Sequence, residues 1–328
     1  MKNQTFQEAV VAAIAEEMER DPNVFHLGQD IGPTYNGAMH SAKGLGELFG
    51  PDRIIETPIS EGAMVGAGIG AAIGGMRPIV QIMFAEFLGL GITPLACDAA
   101  AMWYKSDGQT CVPLVIRALF GAGPHRGHSE DYQAWVTSVP GIKVVMPSCP
   151  YDAKGLMKAA IRDNNPVVFY EHMGIYHGSR QQIPDEDYVI PLGVADIKRQ
   201  GSDVTLVATG LMVQQSLKAA EQLEKDGISV EVIDPRTIVP MDYDTVLASV
   251  AKTRRLVIVS ETWKTGDPLS ALTATVAEEL GKHGALNIAR AGLQETPRPF
   301  AIPLTRASMP SVQSISDAVR SVMPAAKN

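Results

Sequence analysis

The feature that most limits the fold is a series of short, nearly uninterrupted apolar segments, spaced so that helical patterns fill the gaps. Segments rich in β-branched residues occur at 23–28, 53–57, 77–84, 112–118, 142–147 and 166–172, and again at 203–210, 228–234, 255–261 and 287–293. Helical patterns such as 150–163 lie between them. Strands that are apolar on both faces and alternate with helices belong to parallel sheets covered on both sides. The pattern lapses over 173–195, where glycine, proline and charged residues fall without period. The expected fold class is α/β, with two open, mostly parallel-sheet domains. Their expected extents are residues 1–180 and 201–328, with a linker over 181–200.

The 328 residues supply enough chain for two cores. A formal net charge of −8 excludes the basic face that a nucleic-acid protein needs. Cys97, Cys111 and Cys149 are odd in number and share no close spacing, so free thiols in a reducing compartment are expected. Near the N-terminus, Thr5 and Glu8 have the spacing of a capping box that opens an amphipathic helix. Acidic residues interrupt the apolar stretch there, so a signal peptide is not expected. The apolar run Gly62–Met76 is shorter than the ~20 residues that span a bilayer. A cytoplasmic protein without membrane or nucleic-acid partners is the expectation.

Gly66, Gly68, Gly70 and Gly74 invite comparison with a dinucleotide fingerprint. A true fingerprint sits in the turn after a strand, with an acidic residue ~20 positions on. These glycines instead continue an apolar run begun at Ala63, which reads as a buried helix whose small residues let neighbouring backbones approach. An NAD-binding dehydrogenase is a minor alternative.

More telling is Thr57-Pro58-Ile59-Ser60-Glu61-Gly62, which follows the apolar segment at 53–57. Pro58 ends the strand, and Ser60 is placed to cap the next helix. Glu61 then lies in a first helical turn at the carboxyl end of a parallel strand, where open α/β sheets bind ligands. Taken alone, such a carboxylate is more often a complement to the helix dipole.

Five motifs in order change that weighting: TPISE (57–61), RPIVQIMFAEF (77–87), HSEDYQAW (128–135), the stretch 140–172, and VIDPRTIVPMD (232–242). Together they resemble the beta subunit of the thiamine-dependent decarboxylase component of 2-oxo acid dehydrogenase complexes, across nearly the whole chain. Pyruvate, branched-chain and acetoin dehydrogenases belong to that family, and transketolase is a more distant relative. The resemblance implies a pyrimidine-binding domain followed by a transketolase C-terminal-like domain. It implies that Glu61 hydrogen-bonds N1′ of the aminopyrimidine of thiamine diphosphate, and that Met83 and Phe87 line the pocket for that ring. His128 matches the active-site histidine that steadies the intermediate and assists acyl transfer to lipoyl-lysine. His125 and Arg126 are weaker candidates for substrate or phosphate contact. Leu114, Ala160, Ile161, Asp163 and Asn165 match the ligands of a potassium ion, with an ordinary helix-ending turn as the alternative.

The superfamily anchors the diphosphate through Mg²⁺ with a Gly-Asp-Gly motif followed by Asn, and this chain has no Gly-Asp-Gly. The resemblance therefore implies an alpha subunit that carries that motif and holds the Mg²⁺. It implies an α₂β₂ heterotetramer with beta–beta contact through the C-terminal domains, and a lipoyl acyltransferase core as a further partner. Departures from the family pattern include Glu130 and Asp131 beside His128, and Pro94, Ala101 and Trp103 in the helical stretch 91–109. Asp267 and Pro268, in the second domain, stand where relatives continue with glycine. These leave the acceptor open. Alternatives are a split transketolase-like enzyme that passes a two-carbon unit to an aldose, and a non-catalytic scaffold subunit.

Overall fold

A computed structural model of the chain describes residues 1–122, 127–130 and 132–324. The chain forms two compact units, Met1–Leu192 and Gly193–Asn328.

In the first unit the strands are β1 (Lys2–Gln4), β2 (Val24–Gly28), β3 (Ile54–Glu56), β4 (Arg77–Phe84), β5 (Val115–Phe120), β6 (Lys143–Val145), β7 (Val167–His172) and β8 (Gln181–Ile183). The main sheet orders them β6-β7-β5-β4-β2-β3, and every pairing among these is parallel. The central strands β2, β5 and β7 are buried along their whole length, which explains why they read as continuous apolar runs. Strands β1 and β8 pair separately and antiparallel.

The expected capping box is present. Thr5 Oγ1 accepts from the amide of Glu8 at 3.3 Å, while the Thr5 amide donates to Glu8 Oε2 at 2.9 Å. The helix it opens, Phe6–Arg20, packs along Pro150–Arg162. Between the two helices Arg162 reaches the buried Glu17 at 2.6 Å, and Lys154 reaches Glu16 at 2.7 Å.

The glycine run lies inside the helix Glu61–Ile73, not in a turn. Only part of it packs as the sequence suggested. A Cβ on Gly68 would meet Val80 Cγ2 at 2.6 Å, whereas Gly66 and Gly70 are exposed with nothing within 4 Å. One face of the helix is therefore core, and the other is a bare strip of small residues. Ser60 occupies the N-cap position, but its side chain makes no capping hydrogen bond.

Residues Ala85–Lys105 form a helical run of 21 residues that is long and apolar enough to cross a membrane by length and composition only, a property core helices of soluble proteins share. The sequence reading overlooked it because Glu86, Asp98 and Pro94 interrupt the run. Pro94 brings no backbone donor, and the turn after it, Leu95–Ala99, widens to π geometry. Gly91 in this run lies against Val65 and the carbonyl of Glu61, so the run packs on the first turns of Glu61–Ile73.

The second unit contains β9 (Asp196–Arg199), β10 (Val204–Ala208), β11 (Val230–Asp234), the short β12 (Thr237–Val239), β13 (Arg255–Trp263) and β14 (Asn287–Leu293). Its sheet runs β14-β13-β10-β11-β9, parallel except for the edge strand β9. Helices Leu211–Glu224 and Val312–Val322 cover one face, and Tyr243–Thr253 and Ser270–Leu280 cover the other. Two stretches expected in the linker thus carry strands, β8 and β9. Neither has the continuous apolar run that marked the others.

Candidate active site

Strand direction gathers the site. In a parallel sheet all strands end on one edge, and open α/β sheets place ligands along the carboxyl edge. On that edge β2 ends at Gly28 before Gln29, β3 leads to Glu61, β4 leads to Glu86 and Phe87, and β5 leads into the loop that carries His128.

Glu61 starts its helix and is only 5% exposed. Among the described residues its carboxylate has no hydrogen-bond or ion-pair partner. Nearby on the edge, the amide of Gln29 donates to Met83 Sδ at 3.6 Å, while Gln29 Oε1 is buried without a partner. An open carboxylate at Glu61, the buried unpartnered Gln29 Oε1, a thioether and the aromatic Phe87 along this edge suit a flat heteroaromatic ring that carries both donors and acceptors. These residues suit the aminopyrimidine of thiamine diphosphate. Among the described residues no group of three or more His, Cys, Asp or Glu could hold a metal ion, so this part of the chain offers no acidic clasp for Mg²⁺.

His128 is held by three groups. Its Nδ1 lies 2.6 Å from Glu86 Oε1. Its ring stacks on Phe84 with centroids 4.5 Å apart and planes at 11°, and it meets Phe87 tilted at 5.3 Å. Phe87, expected in the cofactor pocket, therefore also contacts the expected catalytic histidine. Sequence reasoning missed Glu86 and Phe84. Both lie within RPIVQIMFAEF, and the signal that could have found them is a carboxylate flanked by aromatics just beyond a strand end.

Next to His128, the Glu130 carboxylate accepts at Oε2 from Tyr132 Oη at 2.7 Å. Tyr132 in turn stacks on Trp135 at 4.6 Å. His125, Arg126 and Asp131 lie outside the described residues. Gly121, at the head of this loop, has φ +83°, and a Cβ there would meet His172 Nε2 at 2.4 Å. Glycine is required on both counts.

The oxygens expected to hold potassium cluster at the end of Pro150–Arg162, where the chain's own donors already reach them. Arg77 donates to the carbonyls of Ile161 at 2.8 Å and Asp163 at 2.6 Å, and to Asn164 Oδ1 at 3.3 Å. The carbonyl of Ala160 accepts from the Asp163 amide at 3.3 Å, and that of Leu114 accepts from Val167 at 2.8 Å. Asp163 pairs with Lys143 and also accepts from the Asn165 amide at 2.8 Å. Burial pushes the Asp163 carboxyl up, but the Lys143 and Asn165 donors outweigh it and hold the group below its ordinary value. Each carbonyl keeps a second lone pair, so a cation would share the Ile161 and Asp163 oxygens with Arg77 and those of Ala160 and Leu114 with backbone amides.

Comparison with known proteins identifies both domains. The family described as "Transketolase, pyrimidine binding domain" matches residues 2–177, and "Transketolase, C-terminal domain" matches 193–315. The 2-oxoisovalerate dehydrogenase subunit beta of Bacillus subtilis is 43% identical, with 85% of each chain covered. The pyruvate dehydrogenase E1 component subunit beta of the same organism is 39% identical over 98% of this chain and 99% of its own length. The beta subunit of acetoin:2,6-dichlorophenolindophenol oxidoreductase from Cupriavidus necator is 42% identical over 98% of this chain and 97% of its own. Among solved structures, a split-gene transketolase described as an inactive beta4 tetramer matches with TM-score 0.79 at 22% identity, covering 98% of both chains, which speaks to fold alone. The chain belongs to the transketolase-like family of 2-oxo acid dehydrogenase E1 beta subunits.

Proposed function

We propose that the chain is the beta subunit of a thiamine-diphosphate-dependent 2-oxo acid dehydrogenase, pyruvate- or acetoin-type, that passes an acyl unit to lipoyl-lysine. One observation supports this reading: Glu61, 5% exposed on the carboxyl edge of a parallel sheet, has a carboxylate with no hydrogen-bond or ion-pair partner among the described residues. When bound, thiamine diphosphate supplies the carbanion chemistry that cleaves the bond next to a carbonyl. Glu61 would bind the ring at N1′ and hold a proton there. Met83 and Phe87 would flank the ring and exclude water. His128 would give or take a proton at its exposed nitrogen as the acyl unit leaves.

The diphosphate and Mg²⁺ fall to an alpha subunit bearing Gly-Asp-Gly, in a cytoplasmic α₂β₂ heterotetramer whose beta chains meet through their C-terminal domains, with a lipoyl acyltransferase core as the acceptor's carrier. A potassium ion sharing the carbonyls of Leu114, Ala160, Ile161, Asp163 and Asn165 would brace the helix end behind the site.

The test is reconstitution with the alpha chain. Lipoamide or dye reduction with a 2-oxo acid or acetoin supports the reading. Ketol transfer to a sugar phosphate without dye reduction would assign the chain to a split transketolase instead.

A further inference from the structure

We propose that Glu86 is a positioning residue for His128, fixing which ring nitrogen faces the substrate; this rests on the reading that His128 moves a proton during acyl transfer. An ionised carboxylate can only accept hydrogen bonds. At 2.6 Å from Glu86 Oε1, Nδ1 of His128 must therefore be the protonated nitrogen, and Nε2 is the one left to exchange a proton.

The rest of the environment removes the ring's freedom to do otherwise. The stack on Phe84 at 4.5 Å and 11° fixes the ring plane, and Phe87 closes a second side at 5.3 Å. The Glu86 side chain is 16% exposed and that of His128 40% exposed, so the carboxylate that anchors Nδ1 is sheltered while part of the imidazole stays open. All three contacts come from Phe84–Phe87, the end of β4 and the single turn after it. That turn also supplies Phe87 to the cofactor pocket, so one short segment sets the histidine's orientation relative to the ring site. The other tautomer would place an N–H at Nε2 where a lone pair must take the proton, and a flipped ring would place carbon there.

The experiment uses the full chain reconstituted with its alpha subunit. Glu86→Ala should lower kcat for acyl transfer about tenfold or more, within the range acid–base groups contribute, while KM for the 2-oxo acid and thiamine diphosphate affinity stay within about twofold of wild type. Glu86→Gln, whose amide oxygen can still accept from Nδ1, should recover part of the loss. His128→Asn should lower kcat, and adding Glu86→Ala to it should lower kcat no further, since the two act as one unit.

Additive losses, or a KM effect with kcat unchanged, would overturn the inference and leave the enzyme reading standing. Wild-type turnover in His128→Asn would sink the assigned role of His128 and the inference together. A readout independent of turnover is the imidazole ¹⁵N spectrum of the full chain, with the His128 signals identified by their loss in His128→Asn. The Nδ1-protonated tautomer is expected in wild type and the Nε2-protonated one in Glu86→Ala; identical tautomers in both would also overturn the inference.

Discussion

At the residue scale, the two groups most exposed to test are Glu61 and the buried pair Arg117–Glu171. Arg117 Nε lies 2.6 Å from Glu171 Oε1, with both side chains fully buried, and Arg117 also donates to the carbonyl of Ser41 at 3.1 Å. Removing one partner strands a buried charge at a cost of about 3–5 kcal/mol. Glu171→Gln should therefore lower the thermal midpoint sharply, and Arg117→Met/Glu171→Met should lose less than the sum of the single changes, as read by chemical denaturation. Fully additive losses would show that the pair is not coupled. His26, beneath the same strands, is pushed well below the ordinary histidine value by burial and then by Arg117, and belongs to this structural network rather than to the site. Ordered motifs singled out Glu61, Met83, Phe87 and His128 as candidates, and the structure sets each at or after the carboxyl end of a strand in the main sheet. Glu86 was not among them, because its partner is 42 residues away and only the parallel register of β4 and β5 brings the two together.

At the element scale, the apolar segments predicted ten strands of the two main sheets, since buried parallel strands announce themselves by composition. Strands β1, β8, β9 and β12 escaped because each is only three or four residues long and all but β12 are largely exposed or half-buried, so no apolar run marks them. The helix Glu61–Ile73 offers a direct check of its two faces. Gly68→Ala forces a Cβ against Val80 and should cost about 1–3 kcal/mol by overpacking. Gly70→Ala meets nothing and should stabilise the isolated chain by up to about 1 kcal/mol. Equal effects of the two changes on the denaturation midpoint would refute this division of faces. The helix end at Asp163 makes a pH prediction. Its carboxyl is held below its ordinary value, so its contribution is present above that ordinary value and is lost as pH falls through the folded one. Asp163→Asn should thus be less stable than wild type at pH 7, with the gap closing in strong acid. Potassium in place of sodium at equal ionic strength should raise the melting temperature if the ion is held; equal midpoints would remove it.

At the scale of the whole molecule, the proposed ring-binding edge comes with no Gly-Asp-Gly in the sequence, so the proposal assigns the diphosphate contacts to another chain. The bare strip formed by Gly66 and Gly70, with the exposed Leu90, Trp103 and Tyr104, is apolar surface that a monomer has little reason to keep. Sequence could announce the missing half through an absent motif, but it could not describe the faces that await a partner, because small residues look alike in a core and at an interface. The most direct test is steady-state turnover of the reconstituted alpha–beta pair with wild-type chain and with Glu61→Gln, alongside size-exclusion chromatography of both. The account predicts intact assembly with turnover lowered about 10²–10⁴-fold, the span that general acid–base groups contribute. Intact assembly with undiminished turnover would contradict it.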